Sequence, residues 1–168
     1  MNSTAKPRVA VIGTGGTISS VGKHSLDLVN YGHNNTKYDA VEQVDAFPEV
    51  REVAEVEPVL FRALSSTAMG VAEWLELVRA IHDIAKRLDP PDGIVVTHGT
   101  ATLEETAYFL NLTLKVNIPV VVVGSQRPAS AFGTDAGMNL LNAIRVAGSS
   151  EAHGLGVLAL LNDEIQAA

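Results

Sequence analysis

Five short apolar runs alternate along the chain with longer stretches in which apolar residues recur at helical spacing. Short runs without polar interruption are typical of strands that are buried on both faces of a sheet. Strands that alternate with helices predict a mostly parallel sheet with helices on both faces, the doubly wound α/β class. The runs lie at residues 9–12, 59–61, 94–96, 119–123 and 156–161.

The third run begins a strand, loop and helix unit over residues 93–114. Thr102 and Glu105 have the spacing of a capping box, which predicts that the helix starts there. Its apolar residues fall at i, i+4, i+7 and i+11, on one face. Open α/β sheets bind ligands at the carboxyl ends of their strands, so we expect the polar turn 97–100 to face a ligand. The apolar stripe consists of Leu103, Ala107, Leu110 and Leu114.

Three further helices are predicted, over residues 39–47, over residues 71–88 and from Asp135 onward. Trp74 is interpreted as a core residue, and His82, beside the same stripe, as a structural residue. The helix at 71–88 has the stripe Val71, Trp74, Leu75, Val78, Ile81, Ala85 and Leu88, and the last helix has the stripe Met138, Leu141, Ile144 and Ala147.

Residues 19–36 show no hydrophobic period and are rich in Gly, Ser, His and Asn. A connection of this length is typical of a functional lid or of a disordered linker. The lid is favoured because Tyr31 lies in its middle, and a solvated tyrosine that packs locally is the alternative. His24 and His33 lack the partner spacing of a metal site, so we predict no metal there.

Composition and charge narrow the possible functions. The chain has 168 residues, 46% of them hydrophobic, and a net charge of −7. The acidic balance argues against nucleic acid and against anionic membrane surfaces as partners, and no apolar run could span a bilayer. Residues 1–13 contain no apolar signal core, so we expect a cytoplasmic protein, unless a leader has been removed. The absence of cysteine excludes disulfides and thiolate metal sites.

Hydroxyl side chains follow three of the predicted strands, at Thr17, at residues 65–67 and at Thr100. The carboxyl ends of parallel strands meet at one edge, so we expect these groups to converge on a site. The glycine-rich segment 13–18 does not fit a dinucleotide loop, because a G-x-G-x-x-G frame requires glycine where Ile18 stands. It also lacks the Gly-Lys-Ser/Thr ending of a phosphate loop.

Two segments together identify a family resemblance. GTGGTI at 13–18 and THGTATLEETAYFLNLT at 97–113 resemble the two signature motifs of the bacterial-type L-asparaginases, the asparaginase-glutaminase amidohydrolases. Arg127-Pro128 and Asn162-Asp163 match as well, so the resemblance covers nearly the whole chain. It implies that residues 1–168 form the N-terminal catalytic domain, without the smaller C-terminal domain of the family. It also implies an amino-acid amide substrate, no cofactor or metal, and a homo-oligomer (dimer or tetramer) at full length.

The resemblance assigns catalytic roles to three residues. Thr17 matches the nucleophile that attacks the side-chain amide, Tyr31 the lid tyrosine that activates it, and Thr100 the second catalytic threonine. A neutral hydroxyl is a weak nucleophile and requires a proton acceptor nearby. Asparagine would then give an acyl-threonine, ammonia and finally aspartate, with backbone N–H groups of the glycine-rich segment holding the oxyanion.

Substrate binding is assigned by the same resemblance. Ser66 and Thr67 match the pair that holds the α-carboxylate, with Ser65 and Ser66 as the alternative register. Ala101 stands where the family has an aspartate that pairs with the α-ammonium. The family's catalytic lysine is expected beyond Ala168, outside this sequence.

Three explanations for Ala101 compete: an engineered inactivating change in a truncated chain, a natural member whose substrate has no α-ammonium, or a degenerate relative that only binds. Removing one partner of a buried charge pair costs about 3–5 kcal/mol. If this whole cost raised the free energy of the transition state, the rate would fall by roughly 10²–10⁴-fold. We therefore expect little or no asparaginase activity from this chain as given.

A second class of function is a non-catalytic small-molecule binding or oligomerisation domain with the same fold. The two retained hydroxyls, Thr17 and Thr100, favour the enzyme, because a scaffold would not need them. Nucleotide binding by the glycine-rich segment is a third interpretation, disfavoured by its spacing. The sequence does not separate asparagine from glutamine as substrate.

Overall fold

A six-stranded sheet lies at the centre of the computed structural model, which describes residues 5–168 except for the side chain of Asn34. The strands are β1 (Arg8–Gly15), β2 (Glu55–Leu64), β3 (Gly93–Thr97), β4 (Val120–Val123), β5 (Val157–Leu161) and β6 (Glu164–Ala167). Their order is β2-β1-β3-β4-β5-β6, with β1 to β5 parallel and β6 antiparallel to β5. Residues 1–4, part of the stretch predicted to lack a signal core, lie outside the described residues.

Within residues 5–168, five α-helices flank the sheet: α1 (Ala40–Ala46), α2 (Val50–Val53), α3 (Val71–Ala85), α4 (Leu103–Thr113) and α5 (Ala136–Ala147). α1 begins with a capping box, in which the Asp39 carboxylate accepts from the amides of Val41 and Glu42 and the Glu42 side chain accepts from the Asp39 amide. No helix in the described part of the chain is long and apolar enough to cross a membrane.

Each face of the sheet packs against its own hydrophobic core. Val9 and Val11 of β1 pack on one face with residues of α1, α2 and α5, whereas Ala10 and Ile12 pack on the other with residues of α3 and α4. All four side chains are fully buried. Because alternate residues of a strand point to opposite faces, a strand buried on both sides reads as a continuous apolar run. The predicted doubly wound, mostly parallel α/β fold is confirmed.

The predicted capping box at Thr102 and Glu105 is wrong. No side chain caps α4, and the Thr102 hydroxyl donates instead to the Ser66 carbonyl at 2.8 Å. The physical reason is that Thr100–Thr102 forms a 3₁₀ turn ahead of α4, and the turn's last hydroxyl is bound by the neighbouring loop. The start of α4 is therefore tied to the loop after β2.

The predicted stripe of α3 is partly wrong. The helix ends before Leu88, and both Leu88 and Val71 are exposed. The fully or almost fully buried positions are Leu77, Ile81 and Ile84, at i, i+4 and i+7. The predicted stripe is rotated about one residue around the helix from the buried one, because apolar residues cover more than one face of this helix.

The stripe of α5 is also wrong at one position, because Met138 is exposed whereas Asn139 is buried. The Asn139 side chain donates to the Gly124 carbonyl at 3.0 Å and accepts from the Asn162 amide at 3.2 Å. These bonds make the burial of a polar side chain tolerable. Asn139 thereby joins the loops that follow β4 and β5.

β6 was not predicted. Its four residues are exposed at the sheet edge, so the segment lacks the apolar run that marks the other strands. Asn162 and Asp163 both have positive φ, 50° and 64°, as in the two-residue turns that join antiparallel strands. This Asn-Asp pair was the available signal for the hairpin.

Candidate active site

The loops after β1, β2 and β3 touch one another at the carboxyl edge of the sheet. A Cβ atom placed on Gly16 would lie 2.2 Å from the backbone N and Cα of Gly99, and one placed on Gly99 would lie 2.7 Å from the Cβ and Oγ of Ser66. Gly16 also has a φ of 83°, which favours glycine. Thr17 and Thr100 directly follow these two glycines, so the structure brings the hydroxyl-bearing turns of β1, β2 and β3 together.

Side-chain hydrogen bonds fix the turn that holds Thr17. The hydroxyls of Ser19 and Ser20 donate to the Gly16 carbonyl at 3.1 and 2.8 Å. Gln43 of α1 donates to the Ile18 carbonyl at 2.9 Å. Thr17 lies in the 3₁₀ turn Thr17–Ser19 and is only partly buried, so its hydroxyl is rigidly placed and accessible.

Tyr31 lies beside Thr17, with its phenolic oxygen 3.2 Å from Thr17 Oγ1. Two bonds hold residues 19–36 against the loop after β4: the Gly22 amide donates to Ser130 Oγ at 2.8 Å, and the Phe132 amide donates to the Ser25 carbonyl at 2.7 Å. The segment therefore folds back across Thr17, as expected of a lid, and is hereafter called the lid.

Asp27 organises the turn of the lid that precedes Tyr31. Its carboxylate accepts from the amides of Asn30 at 2.9 Å and Lys23 at 3.3 Å. Loss of hydration raises the pKa of Asp27, but these amide bonds and the nearby His24 lower it by more, so its pKa lies below the ordinary value. Asp27 is therefore committed to the backbone of the lid.

The loop after β2 offers hydroxyls at Ser65, Ser66 and Thr67. Ser65 Oγ and Thr67 Oγ1 are hydrogen-bonded at 3.0 Å, and Thr67 is exposed. Ser66 lies against Gly99, and its carbonyl accepts the Thr102 hydroxyl. Both registers of the predicted carboxylate-binding pair remain compatible with this geometry.

Thr100 lies in the 3₁₀ turn Thr100–Thr102, with its methyl group packed toward Gly124. Ala101 follows it in the same turn and is exposed, so a methyl group occupies the position predicted for a missing aspartate. The turn thus presents one hydroxyl and one inert side chain.

A buried hydrogen-bond chain behind this turn was missed by the sequence analysis. Trp74 Nε1 donates to Thr106 Oγ1 at 2.8 Å, Thr106 Oγ1 lies 2.9 Å from His98 Nε2, and His98 Nδ1 lies 2.8 Å from the Gly99 carbonyl. A carbonyl only accepts, so Nδ1 carries the proton and the Thr106 hydroxyl donates to Nε2. The available signal was a threonine on the buried face of α4, eight residues after a histidine in the loop.

His98 is fully buried, and burial lowers its pKa, although the bond to Gly99 and the charge of Glu105 act in the opposite direction. The neutral imidazole is the form that completes the chain, because only it can accept from Thr106 and donate to Gly99 at once. Trp74, predicted to be a core residue, is half-buried and stacks on Phe109 at 5.1 Å between ring centroids.

Two residues outside the site have structural roles. Arg127 Nη1 donates to the Gly133 carbonyl at 2.7 Å and so anchors the loop after β4. His82 Nε2 accepts from the Lys115 amide at 3.1 Å, which confirms a structural histidine.

A separate hollow of about 790 Å³ lies between α4 and the β5–β6 hairpin. Its lining includes Glu104, Glu105 and Tyr108 of α4 but none of the predicted hydroxyl residues. The site proposed from the sequence, where the loops after β1, β2 and β3 meet, is therefore distinct from this hollow.

The fold and these loops define a doubly wound α/β domain with a hydroxyl-bearing site at the carboxyl edge of its sheet. The model of the asparaginase N-terminal domain matches residues 8–168. This chain therefore belongs to the asparaginase family.

Individual relatives agree with that assignment. The chain is 41% identical over 163 residues to a glutaminase-asparaginase of Pseudomonas fluorescens biotype A. The aligned part is 97% of this chain and 44% of the relative. It is 41% identical over 162 residues to L-asparaginase 2 of Bacillus subtilis, and the aligned part is 96% of this chain and 42% of that relative. A probable periplasmic L-asparaginase of Haemophilus influenzae is 38% identical over 164 residues, and the aligned part is 98% of this chain and 45% of that relative.

A crystal structure shows the same likeness. The probable cytoplasmic L-asparaginase of Campylobacter jejuni superposes with a TM-score of 0.87 at 36% identity, over 96% of this chain and 48% of that one. The chain thus spans less than half the length of each of these relatives.

Proposed function

We propose that residues 1–168 form the N-terminal catalytic domain of an amidohydrolase that hydrolyses the side-chain amide of asparagine, or of a related compound, to an acid and ammonia. The observation that carries this proposal is the 3.2 Å contact between Thr17 Oγ1 and the Tyr31 hydroxyl at the carboxyl edge of the sheet. It pairs a candidate nucleophile with a candidate proton acceptor, the arrangement that covalent catalysis by a hydroxyl requires.

In the first half of the reaction, Thr17 Oγ1 attacks the amide carbon while its proton passes to the Tyr31 oxygen, and Tyr31 passes its own hydroxyl proton on toward the amide nitrogen. Backbone N–H groups of the glycine-rich segment stabilise the oxyanion. When the carbon–nitrogen bond breaks, the leaving nitrogen takes the proton from Tyr31 and departs as ammonia. The product is an ester between Thr17 and the acyl group.

In the second half, water attacks the ester and Thr17 is regenerated as the acid leaves. Thr100, on the facing turn, is assigned to orient this water, and Ser66 with Thr67 to hold the substrate carboxylate. The mechanism calls on no cofactor or metal. Because Ala101 offers no carboxylate to an α-ammonium group, we expect hydrolysis of asparagine itself to be impaired.

The assembly and compartment are part of the proposal. We infer a homo-oligomer in which the smaller C-terminal domain of the full chain completes the site, and a cytoplasmic location. Relatives are named for both the cytoplasm and the periplasm, so fractionation of cells that express the full chain is the direct check.

The test is ammonia release by the full chain with Thr17 replaced by valine. We expect Thr17→Val to abolish release from every amide that the wild type cleaves. Thr113→Val is the matched control: Thr113 lies at the last turn of α4, outside the three loops, and donates to the Phe109 carbonyl at 2.7 Å. Ammonia release that survives Thr17→Val would refute the mechanism, and a wild type that binds amides without cleaving them would favour the non-catalytic binding domain.

A further inference from the structure

The three loops that meet at the carboxyl edge hold hydroxyl groups but no acidic residue. Segments 13–18, 65–70 and 98–102 contain no Asp or Glu. A ligand ammonium group that leaves water requires an anionic or carbonyl partner, because an unpaired charge in a site is costly. The carbonyls and the neighbouring carboxylates at this edge therefore decide whether the site can accept an amino group.

Two backbone carbonyls at the meeting point are already occupied. The Gly16 carbonyl accepts from both the amide and the hydroxyl of Ser19 and from the hydroxyl of Ser20. The Ser66 carbonyl accepts from the Met69 amide and the Thr102 hydroxyl. A carbonyl oxygen has two lone pairs, so these two groups have no capacity left for a ligand cation.

The carboxylates that flank these loops are committed as well. Asp27 holds the turn of the lid, and Glu73 accepts from the Gly70 amide at 3.1 Å while pairing with Arg62 at 3.6 Å. Asp135 accepts from two amides of the loop after β4, at 2.8 and 2.9 Å. Each of these carboxylates is therefore held by protein partners of its own, with which a ligand ammonium would compete.

The remaining acids near the edge, Glu104 and Glu105, begin α4 and line the separate hollow beside the β5–β6 hairpin. Ala101, on the turn that faces the other loops, contributes only a methyl group. Within the described residues of the three loops, an ammonium group could therefore meet hydroxyl oxygens but no carboxylate.

We propose, on the basis of the proposed function, that this site takes ω-amides of carboxylic acids that carry no α-ammonium group, of which succinamate is the simplest, in preference to asparagine or glutamine. Such a ligand presents a carboxylate and a neutral amide carbonyl, both of which accept hydrogen bonds from hydroxyls and backbone amides. The ammonium of asparagine would meet no carboxylate in the three loops, so its charge would stay unpaired there.

Calorimetric titration of the full chain with succinate and with aspartate tests this preference without relying on turnover. We expect succinate to bind at least about tenfold more tightly than aspartate, since hydrogen bonds to charged groups correspond to about tenfold to a hundredfold in affinity. Ala101→Asp should shift the preference toward aspartate by a similar factor. Ala101→Asn, of the same shape but uncharged, is the matched control and should leave the ratio within about threefold of the wild type.

Three results would overturn the inference: equal or tighter binding of aspartate by the wild type, failure of succinate to bind, or an unchanged ratio in Ala101→Asp. If aspartate binds more tightly and Glu105→Gln removes that preference, Glu105 supplies the carboxylate and the inference is again wrong.

Hydrolysis separates this inference from the proposed function. Faster, Thr17-dependent release of ammonia from asparagine than from succinamate would reject the inference and leave the amidohydrolase in place. Preferential binding of succinate without ammonia release from any amide would leave the ligand preference in place and reject the amidohydrolase.

Discussion

Thr106 donates its hydroxyl proton to Nε2 of His98 across 2.9 Å, entirely inside the protein. This bond fixes the imidazole so that Nδ1 holds the Gly99 carbonyl at 2.8 Å. Gly99 lies against Gly16 and Ser66, where the three loops meet. The second motif therefore carries, besides the half-buried Thr100, a buried hydrogen-bond chain that keeps the turn of Thr100 in place.

Replacing Thr106 by valine should lower the free energy of unfolding by about 1–3 kcal/mol, because a buried acceptor on His98 loses its partner. Trp74 Nε1 loses its acceptor in the same variant. Urea unfolding of wild type and variant measures the difference.

Thr113→Val is the matched control on the same helix, since Thr113 donates only to the carbonyl of Phe109 one turn earlier at 2.7 Å. Thr113→Val should lower the free energy of unfolding by no more than about 0.5 kcal/mol. Equal losses in the two valine variants would show that the buried chain adds nothing.

His98 should titrate below its ordinary pKa of about 6.5, because burial disfavours the imidazolium. The unfolded chain then binds this proton at higher pH than the folded chain, so the free energy of unfolding decreases as pH falls below about 6.5, by at most about 1.4 kcal/mol per pH unit. A proton NMR titration gives the midpoint, with the His98 resonance assigned by its absence in His98→Asn. A midpoint above 6.5 would contradict the neutral imidazole assigned here.

Gly16→Ala should separate the loops, because its Cβ would lie 2.2 Å from Gly99 and its φ is 83°. Overpacking and an unfavourable φ together predict a loss of more than about 2 kcal/mol and of ligand binding. Gly32→Ala, in the lid, is the control, because its Cβ would meet no atom within 4 Å. Thermal unfolding should show a large decrease for Gly16→Ala and little change for Gly32→Ala.

Tyr31→Phe should reduce amide hydrolysis by about 10²–10⁴-fold while leaving the fold intact, because it removes only the proton acceptor of Thr17. Tyr108→Phe changes the same functional group on the exposed surface of α4 and should retain full activity. Steady-state rates of the two full-length variants on one amide make the comparison. Comparable rates in both would remove Tyr31 from the mechanism.

The sheet was predictable because the central residues of β1, β3 and β4 are buried on both faces and form apolar runs at 9–12, 94–96 and 120–123. The meeting of the hydroxyl-bearing loops was predictable for a related reason, since parallel strands place their carboxyl ends at one edge. Helix orientation was harder to predict. Met138 is exposed and Asn139 is buried, the reverse of the usual burial of apolar side chains and exposure of polar ones. A hydrogen bond to Gly124, distant in sequence, outweighs hydrophobicity there.

Contacts between loops were beyond the sequence analysis. Position 99 requires glycine because Ser66, distant in sequence, packs against it. The hydrogen bond from the Thr102 hydroxyl to the Ser66 carbonyl is likewise a tertiary contact. The role of His98 likewise depends on Thr106 and Trp74, which only the packing of α3 against α4 brings near it. Local patterns identify the reactive groups, whereas their supports come from distant segments.

Peptide mapping of the full chain, quenched with acid during turnover of an amide that it cleaves, tests the central claim most directly. Trypsin releases Thr17 in peptide 9–23 and Thr100 in peptide 88–115, so the two threonines are resolved by mass. The proposed mechanism predicts an added acyl mass on peptide 9–23, absent from Thr17→Val. An acyl group on peptide 88–115 instead would contradict it and make Thr100 the nucleophile.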